Sequence, residues 1–467
     1  MKKIILLFLF PFILNAQKDY TVLLNKFMQA EVAVNHFNGN VLVAKSGNIV
    51  YQKAFGYRNY ETKELLDNNS VFELASVSKQ FTAMGILLLK EKGKLKLSDS
   101  LRKFFPELPY NNITIQNLLT HTSGLPDYME EMAGKWDHKK IAFNEDMIRF
   151  LSEEKPAAHF IPGEHWEYSS TAYVLLASII EKVSGITFKA FMQKNIFIPL
   201  KMKNSRVYNT RRSSNEIIPN YAYGYVYSDS LRKYILPDSL PDADLVIYLD
   251  GIQGDGIINS TTGDLLKWDR AIKNHTLLSE ATQNEMLSPL SVMDTVSKRY
   301  YGYGEIVGKN EIGSYVMHGG DWPGYHTMLF RYLAEDITII VLSNNYSNSD
   351  MLAGALAYIV TNRPVVAAYK HTPTTIDAAL LNRYLANYII PDVPNATKME
   401  LIKKDGKLYC HYAKATTDIE LIPESITKFF CGNGADQQIE FELDASGKVR
   451  KAYFIFRGMK KEIEKIN

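Results

Sequence analysis

At 467 residues the chain is too long for one ordinary core, and its 46% apolar and 22% charged content is that of a globular protein of two or three domains. With 53 basic against 51 acidic side chains and no basic run after the first residues, nothing in its charge would capture nucleic acid, so a small substrate is expected. His-Glu-x-x-His and the phosphate-binding Gly-x-x-x-x-Gly-Lys loop are both absent, which removes the main support for a metalloprotease or a P-loop enzyme; neither metal nor cofactor is expected.

Met1-Lys2-Lys3, the apolar stretch Ile4 to Leu14 and Asn15-Ala16-Gln17 read as a secretory leader (residues 1–16) cut after Ala16. The apolar stretch is too short to span a bilayer, and no cysteine follows it to carry a lipid. The expected location is the bacterial periplasm or the outside, with no membrane contact after cleavage. Residues from about 19 to 36 have helical periodicity, and Asn40 to Lys45 with Asn48 to Phe55 form a hairpin turning at Ser46-Gly47. The extended run Val71 to Leu74 then gives way to an apolar helix, Phe81 to Leu89, ending near Gly93.

Ser76 lies at the start of that helix and Lys79 is three residues on, on the same face. Unsatisfied N–H groups there favour negative charge on a serine oxygen or an attacked carbonyl, and a lysine beside a serine can take its proton once desolvated. The Ser-x-x-Lys pattern recurs at Ser100, Ser152, Ser230 and Ser425, so taken alone it reads as a capping serine and a solvated lysine, and only its context sets Ser76 apart.

Helices are expected at Ile115 to Thr120, Glu145 to Ser152, Thr171 to Val183 and Phe188 to Phe197, and loops over a cleft from about 205 to 260. Helices resume at Gly263 to Ile272 and Ser279 to Leu287, followed by strands Ser314 to His318, Thr327 to Tyr332 and Ile337 to Leu342. Those strands and the N-terminal hairpin are expected to complete one antiparallel sheet. A Pro-marked break closes a first domain of residues 17–365, and residues 366–374 form a linker. A short helix around Ala378 to Tyr388 and several alternating strands then make a β-rich domain of residues 375–467. Its cysteines, Cys410 and Cys431, either bridge neighbouring strands or remain buried thiols.

Tyr168-Ser169-Ser170 opens the helix from Thr171, where a tyrosine can face a nucleophile across a cleft. A phenol titrates near ~10 in water, so it needs a cation such as Lys79 to act as a base. His318-Gly319-Gly320-Asp321 ends a strand-like run, and its glycines let backbone approach a substrate, offering an N–H from the Gly320-Asp321 region as an oxyanion donor beside that of Ser76. A packed aromatic and a turn containing a structural histidine are the bland readings of these two segments.

Ser76-Val77-Ser78-Lys79, Leu118-Leu119-Thr120-His121-Thr122-Ser123-Gly124, Tyr168-Ser169-Ser170 and His318-Gly319-Gly320 together resemble the class C type of β-lactamase-related serine hydrolases. The resemblance covers roughly residues 20 to 365. It implies an α+β fold, class C β-lactamase-like, with an antiparallel sheet flanked by helices and an all-helical region; the last segment resembles the small β-barrel-like domains appended to some members. It further implies Ser76 as nucleophile, Lys79 and Tyr168 as the pair that moves protons, His121 as structural, and Ser170, His318, Gly319, Gly320 and Asp321 as substrate-binding. Ser170 stands where relatives commonly have asparagine, and His318-Gly319-Gly320 where they have Lys-Thr-Gly. Both departures favour an esterase or D-amino-acid peptidase over an efficient β-lactamase, acting on a small ester, peptide or β-lactam-like molecule. The alternative is a non-catalytic penicillin-binding sensor on the same scaffold.

Overall fold

A computed structural model describes residues 20–208, 217–390, 398–412, 417–432 and 436–466; the leader lies outside them. An eight-stranded antiparallel sheet runs in the order 291–294, 299–301, 306–309, 314–322, 325–332, 337–343, 39–45, 48–55. The expected closure of the sheet by the N-terminal hairpin is present, with Gly39 opposite Ser343 and Lys45 opposite Ile337.

The central strands are apolar at nearly every position because both faces are covered. Leu42, Ala44, Ile340 and Leu342 point into one core with the helix Lys79–Glu91. Val41, Val43, Ile339 and Val341 point into another, with the helices Tyr20–Asn35 and Ser349–Val360. Alternation thus decides which core each residue joins, while the run itself shows only that the strand is buried. In the all-helical region, Lys79–Glu91 crosses Ser170–Ser184 closely at Gly85, where a Cβ would sit 2.7 Å from Ile180 Cδ1. Among the described residues, no helix is long and apolar enough to cross a membrane.

Eight further strands, from Ala386–Ile389 to Met459–Ile466, close into a barrel as Asn387 pairs with Ile466. The helix expected around Ala378 to Tyr388 is instead a short 3-10 turn, Leu380–Tyr384, followed by the first barrel strand. Tyr384 and Tyr388 are buried in the barrel core, so tertiary packing overrides the local pattern. Cys410 and Cys431 are buried in the same core as free thiols. Val365 bridges to Met459, and Lys461 pairs with Glu311 at 3.0 Å, seating the barrel on the sheet domain.

Glu31 borders a cavity with Asp436 and Arg457 where the first helix meets the barrel. Burial pushes its carboxyl up to about 7; a hydrogen bond from Asn35 opposes this and the Asp436 charge adds to it. An acid that binds its proton more tightly when folded contributes fully below its unfolded value of 4.5 and loses that contribution as pH rises toward 7. Unfolding free energy should therefore fall by up to about 3 kcal/mol over that window on account of Glu31, and Glu31→Gln should flatten this part of the curve. Urea melts from pH 4 to 8 check it.

Candidate active site

The strand Phe72–Glu73 leads into a 3-10 turn, Ala75–Ser78, that runs straight into the helix Lys79–Glu91. Ser76 thus sits in the turn before the helix proper, following Ala75, whose φ of 47° is rare for a residue with a side chain. The strand Ser314–Trp322 clamps this strained turn. Thr327 Oγ1, on the neighbouring strand, donates to the Leu74 carbonyl at 2.7 Å, and a Cβ on Gly320 would lie 2.1 Å from the same oxygen. Glycine at 320 is what lets the strand approach the nucleophile turn so closely. On the far side, Thr82 Oγ1 donates to the Gly254 carbonyl at 2.6 Å and Ser78 Oγ accepts from the Ile258 N–H at 3.1 Å.

Lys79 is fully buried, and its Nζ donates to Ser76 Oγ at 3.1 Å and to the Asp255 carbonyl at 2.8 Å. The same nitrogen lies 4.9 Å from the centroid of the Tyr168 ring, so Ser76 and Lys79 form one cluster with a residue far along the sequence. Tyr168 is held from behind. His121 Nδ1 accepts the Ser169 N–H at 3.0 Å, and its ring packs 4.4 Å from that of Tyr168. The Ser169 hydroxyl in turn accepts the Ala172 N–H at 3.2 Å and caps the helix Ser170–Ser184. Burial, then the positive charge of Lys79, holds His121 well below the usual imidazole range, so it acts here as a neutral prop for Tyr168.

A cleft of about 160 Å³ opens over Ser76, with Ser170 and Asp321 on its walls. Pairing of Ser314–Trp322 with Ile306–Lys309 stops at Met317, so the stretch from His318 onward runs without that neighbour toward the cleft. His318 itself departs from the expected substrate clamp. Its ring is buried, Nε2 meets the Tyr301 hydroxyl at 2.9 Å and Nδ1 meets the Gly319 carbonyl at 2.6 Å, so both nitrogens are occupied within the fold. Burial and then the Lys79 charge push it down to about 3, although the Gly319 contact pulls the other way. Ligands bearing a carboxylate should consequently gain no affinity from His318 as pH falls from 8 to 5. Dissociation constants of one acidic and one neutral ligand on Ser76→Ala protein check this, and both should show the same pH dependence.

Sequence reasoning missed three residues here. Asp255 presents its carbonyl to Lys79, and its own carboxyl, pushed up by burial against the pull of Lys79, accepts from the Tyr128 hydroxyl at 3.0 Å. Tyr301 anchors His318. The run Gln253-Gly254-Asp255-Gly256, two glycines around an acid inside the region read as loops, and Tyr128, just past the Leu118 to Gly124 string, were the available signals. Among the described residues no cluster of three His, Cys, Asp or Glu side chains is placed to hold a metal.

The sequence profile described as Beta-lactamase matches residues 24–374. The chain is 41% identical over 422 residues to a penicillin-binding protein of Bacillus subtilis (strain 168), covering 88% of this chain and 91% of that one. In structure it is similar to the octameric penicillin-binding protein homologue from Pyrococcus abyssi, with a TM-score of 0.65 and 25% identity, over 95% of this chain and 99% of that chain. The D-amino acid amidase from Ochrobactrum anthropi SV3, complexed with D-phenylalanine, shares the fold at 22% identity and a TM-score of 0.62, over 74% of this chain and 98% of that chain.

Proposed function

Since the chain belongs to the beta-lactamase family, whose members of this fold are serine hydrolases, we propose that it hydrolyses ester or amide bonds of small molecules through an acyl-enzyme on Ser76. The observation that carries this reading is the buried Lys79 Nζ, 3.1 Å from Ser76 Oγ and 4.9 Å from the centroid of the Tyr168 ring. In the proposed first step the Lys79–Tyr168 pair, one member of which has already given up its proton, takes the Ser76 hydroxyl proton as Oγ bonds to the carbonyl carbon and the carbonyl electron pair moves onto its oxygen. That proton then leaves on the alcohol or amine as its bond to the carbonyl breaks. Water repeats the sequence on the acyl-enzyme, restoring the Ser76 hydroxyl and releasing the acid. Backbone N–H groups of Ser76 and the Gly320-Asp321 stretch are the proposed donors to the oxyanion.

Ser170 offers a shorter polar group than the asparagine of related enzymes, and His318 supplies no cation. Both support an esterase or peptidase with weak β-lactamase activity at best. Tests with p-nitrophenyl acetate and nitrocefin should show steady turnover of the first and little or none of the second. One burst of product followed by silence would favour the sensor reading. Export by the leader of residues 1–16 is part of the same proposal, checked by N-terminal sequencing of the secreted protein for a start at Gln17.

A further inference from the structure

A second cavity, of about 560 Å³ against about 160 Å³ over Ser76, lies where the edge of the eight-stranded sheet meets the barrel, and the two share no lining residue. Its size falls among sites that enclose small molecules, roughly 300 to 1,000 Å³. The helix Ser349–Val360 packs on the strands Tyr325–Tyr332 and Ile337–Ser343, and Ile390 and Met459 bring the barrel domain to the cavity wall. Gly354, inside that helix, also lines the cavity. A Cβ there would lie 2.9 Å from Met459 Sδ, so the missing side chain leaves room between helix and barrel. Tyr315, Phe330 and Tyr332 form one aromatic wall, with successive ring centroids 4.9 and 5.0 Å apart.

Around this wall stand Lys298 and Arg299, where the edge strand Arg299–Tyr301 begins, and Lys309, where Ile306–Lys309 ends. The carboxylates that also line the cavity are engaged. Glu311 pairs with Lys461 at 3.0 Å and accepts from the Tyr358 hydroxyl, and Asp350 accepts the Met351 N–H at 2.8 Å in the first turn of its own helix. Arg299 Nε donates to Ser297 Oγ at 3.2 Å, and Asp294 on the same hairpin offsets part of its charge. Lys298 and Lys309 are exposed and join no ion pair among the described residues. Cations beside an aromatic wall suit an anion held by charge-assisted hydrogen bonds, on a flat body that packs against the rings. We propose that this interdomain cavity binds a small aromatic carboxylate, its anion among Lys298, Arg299 and Lys309 and its ring against Tyr315 and Phe330. The site stands apart from the cleft over Ser76 and requires nothing of the chemistry there.

The test is isothermal titration of the full mature chain, at low salt and neutral pH, with 2-naphthoate, the neutral 2-naphthamide, the cation 2-naphthylmethylammonium, and acetate. Naphthoate should bind at least about tenfold more tightly than the amide, the ammonium compound should bind most weakly of the three aromatics, and acetate should bind far more weakly than naphthoate. The double variant Lys298→Gln, Lys309→Gln should lose about tenfold or more in naphthoate affinity and keep its amide affinity, because only the anion contacts are removed. Both lysines are exposed, so circular dichroism and the melting temperature should match the wild type. Equal binding of naphthoate and the amide, tighter binding of the cation, acetate as tight as naphthoate, or no naphthoate binding at all would overturn the proposal. So would a naphthoate affinity unmoved by the double variant, which would place the ligand elsewhere, the cleft over Ser76 included.

Discussion

Ser76→Ala protein should be folded and should hydrolyse p-nitrophenyl acetate at least about a thousandfold more slowly than the wild type, because no other group can form the acyl-enzyme. Lys79→Ala and Tyr168→Phe should each lower kcat by about a hundredfold or more, the usual contribution of a positioned proton carrier. Their effects should not add in the double variant, since the two side chains share one cluster around Lys79 Nζ. Steady-state rates on the three single variants and the Lys79–Tyr168 double variant, with circular dichroism as the control for folding, check this.

A comparably large effect, on stability, is expected at Arg331. This side chain and Glu305 are 1% and 0% exposed and form an ion pair beside the helix Lys79–Glu91. Gln80 Oε1 accepts from Arg331 Nη2 at 3.4 Å and from Trp268 Nε1 at 3.0 Å, tying the pair to the helix that carries Lys79. Burial pushes the Glu305 carboxyl up to about 7, with Arg331 pulling it down. Removing one partner leaves the other charge buried and unmatched, so Arg331→Met should lower the unfolding free energy by about 3 to 5 kcal/mol. The double variant Arg331→Met, Glu305→Leu should regain much of that, because the pair's own desolvation cost disappears with it. Thermal and urea melts of the single and double variants measure both numbers.

The sequence was most readable where a local rule and the tertiary fold agree. Ser46-Gly47 turns the hairpin as expected, and the observed strands Gly39–Lys45 and Asn48–Phe55 lie within a residue of the reading. The nucleophile helix, Lys79–Glu91, extends two residues beyond the reading at each end, and the expected stop at Gly93 holds, with that glycine in the left-handed region. Ser349–Val360 was invisible because it is wedged between sheet and neighbours and has small or apolar residues on nearly every side, leaving no polar face to mark a period. The strands between Ser291 and Lys309 mix exposed and half-buried positions at a sheet edge, so no alternation stood out.

For the cleft, residue types were readable and orientation was not. Ser76, Lys79 and Tyr168 announce their chemistry by kind and spacing, and the structure gathers them. Whether His318 faces the cleft depends on its Tyr301 and Gly319 contacts and on the face of the strand it occupies, which a four-residue string does not encode. Asp255 escaped notice for a related reason: it meets Lys79 through its main-chain carbonyl, a contact that any residue type would make.

The most direct test of the acyl-enzyme claim is to treat the purified mature protein with a fluorophosphonate probe and, separately, a penicillin probe, and to map any adduct by peptide mass spectrometry. The account predicts one fluorophosphonate per chain, on the peptide containing Ser76, lost in Ser76→Ala, and slow or partial labelling of the same serine by the penicillin. Stoichiometric labelling of a different serine, or ester hydrolysis by a protein whose Ser76 stays unmodified under complete inhibition, would contradict it.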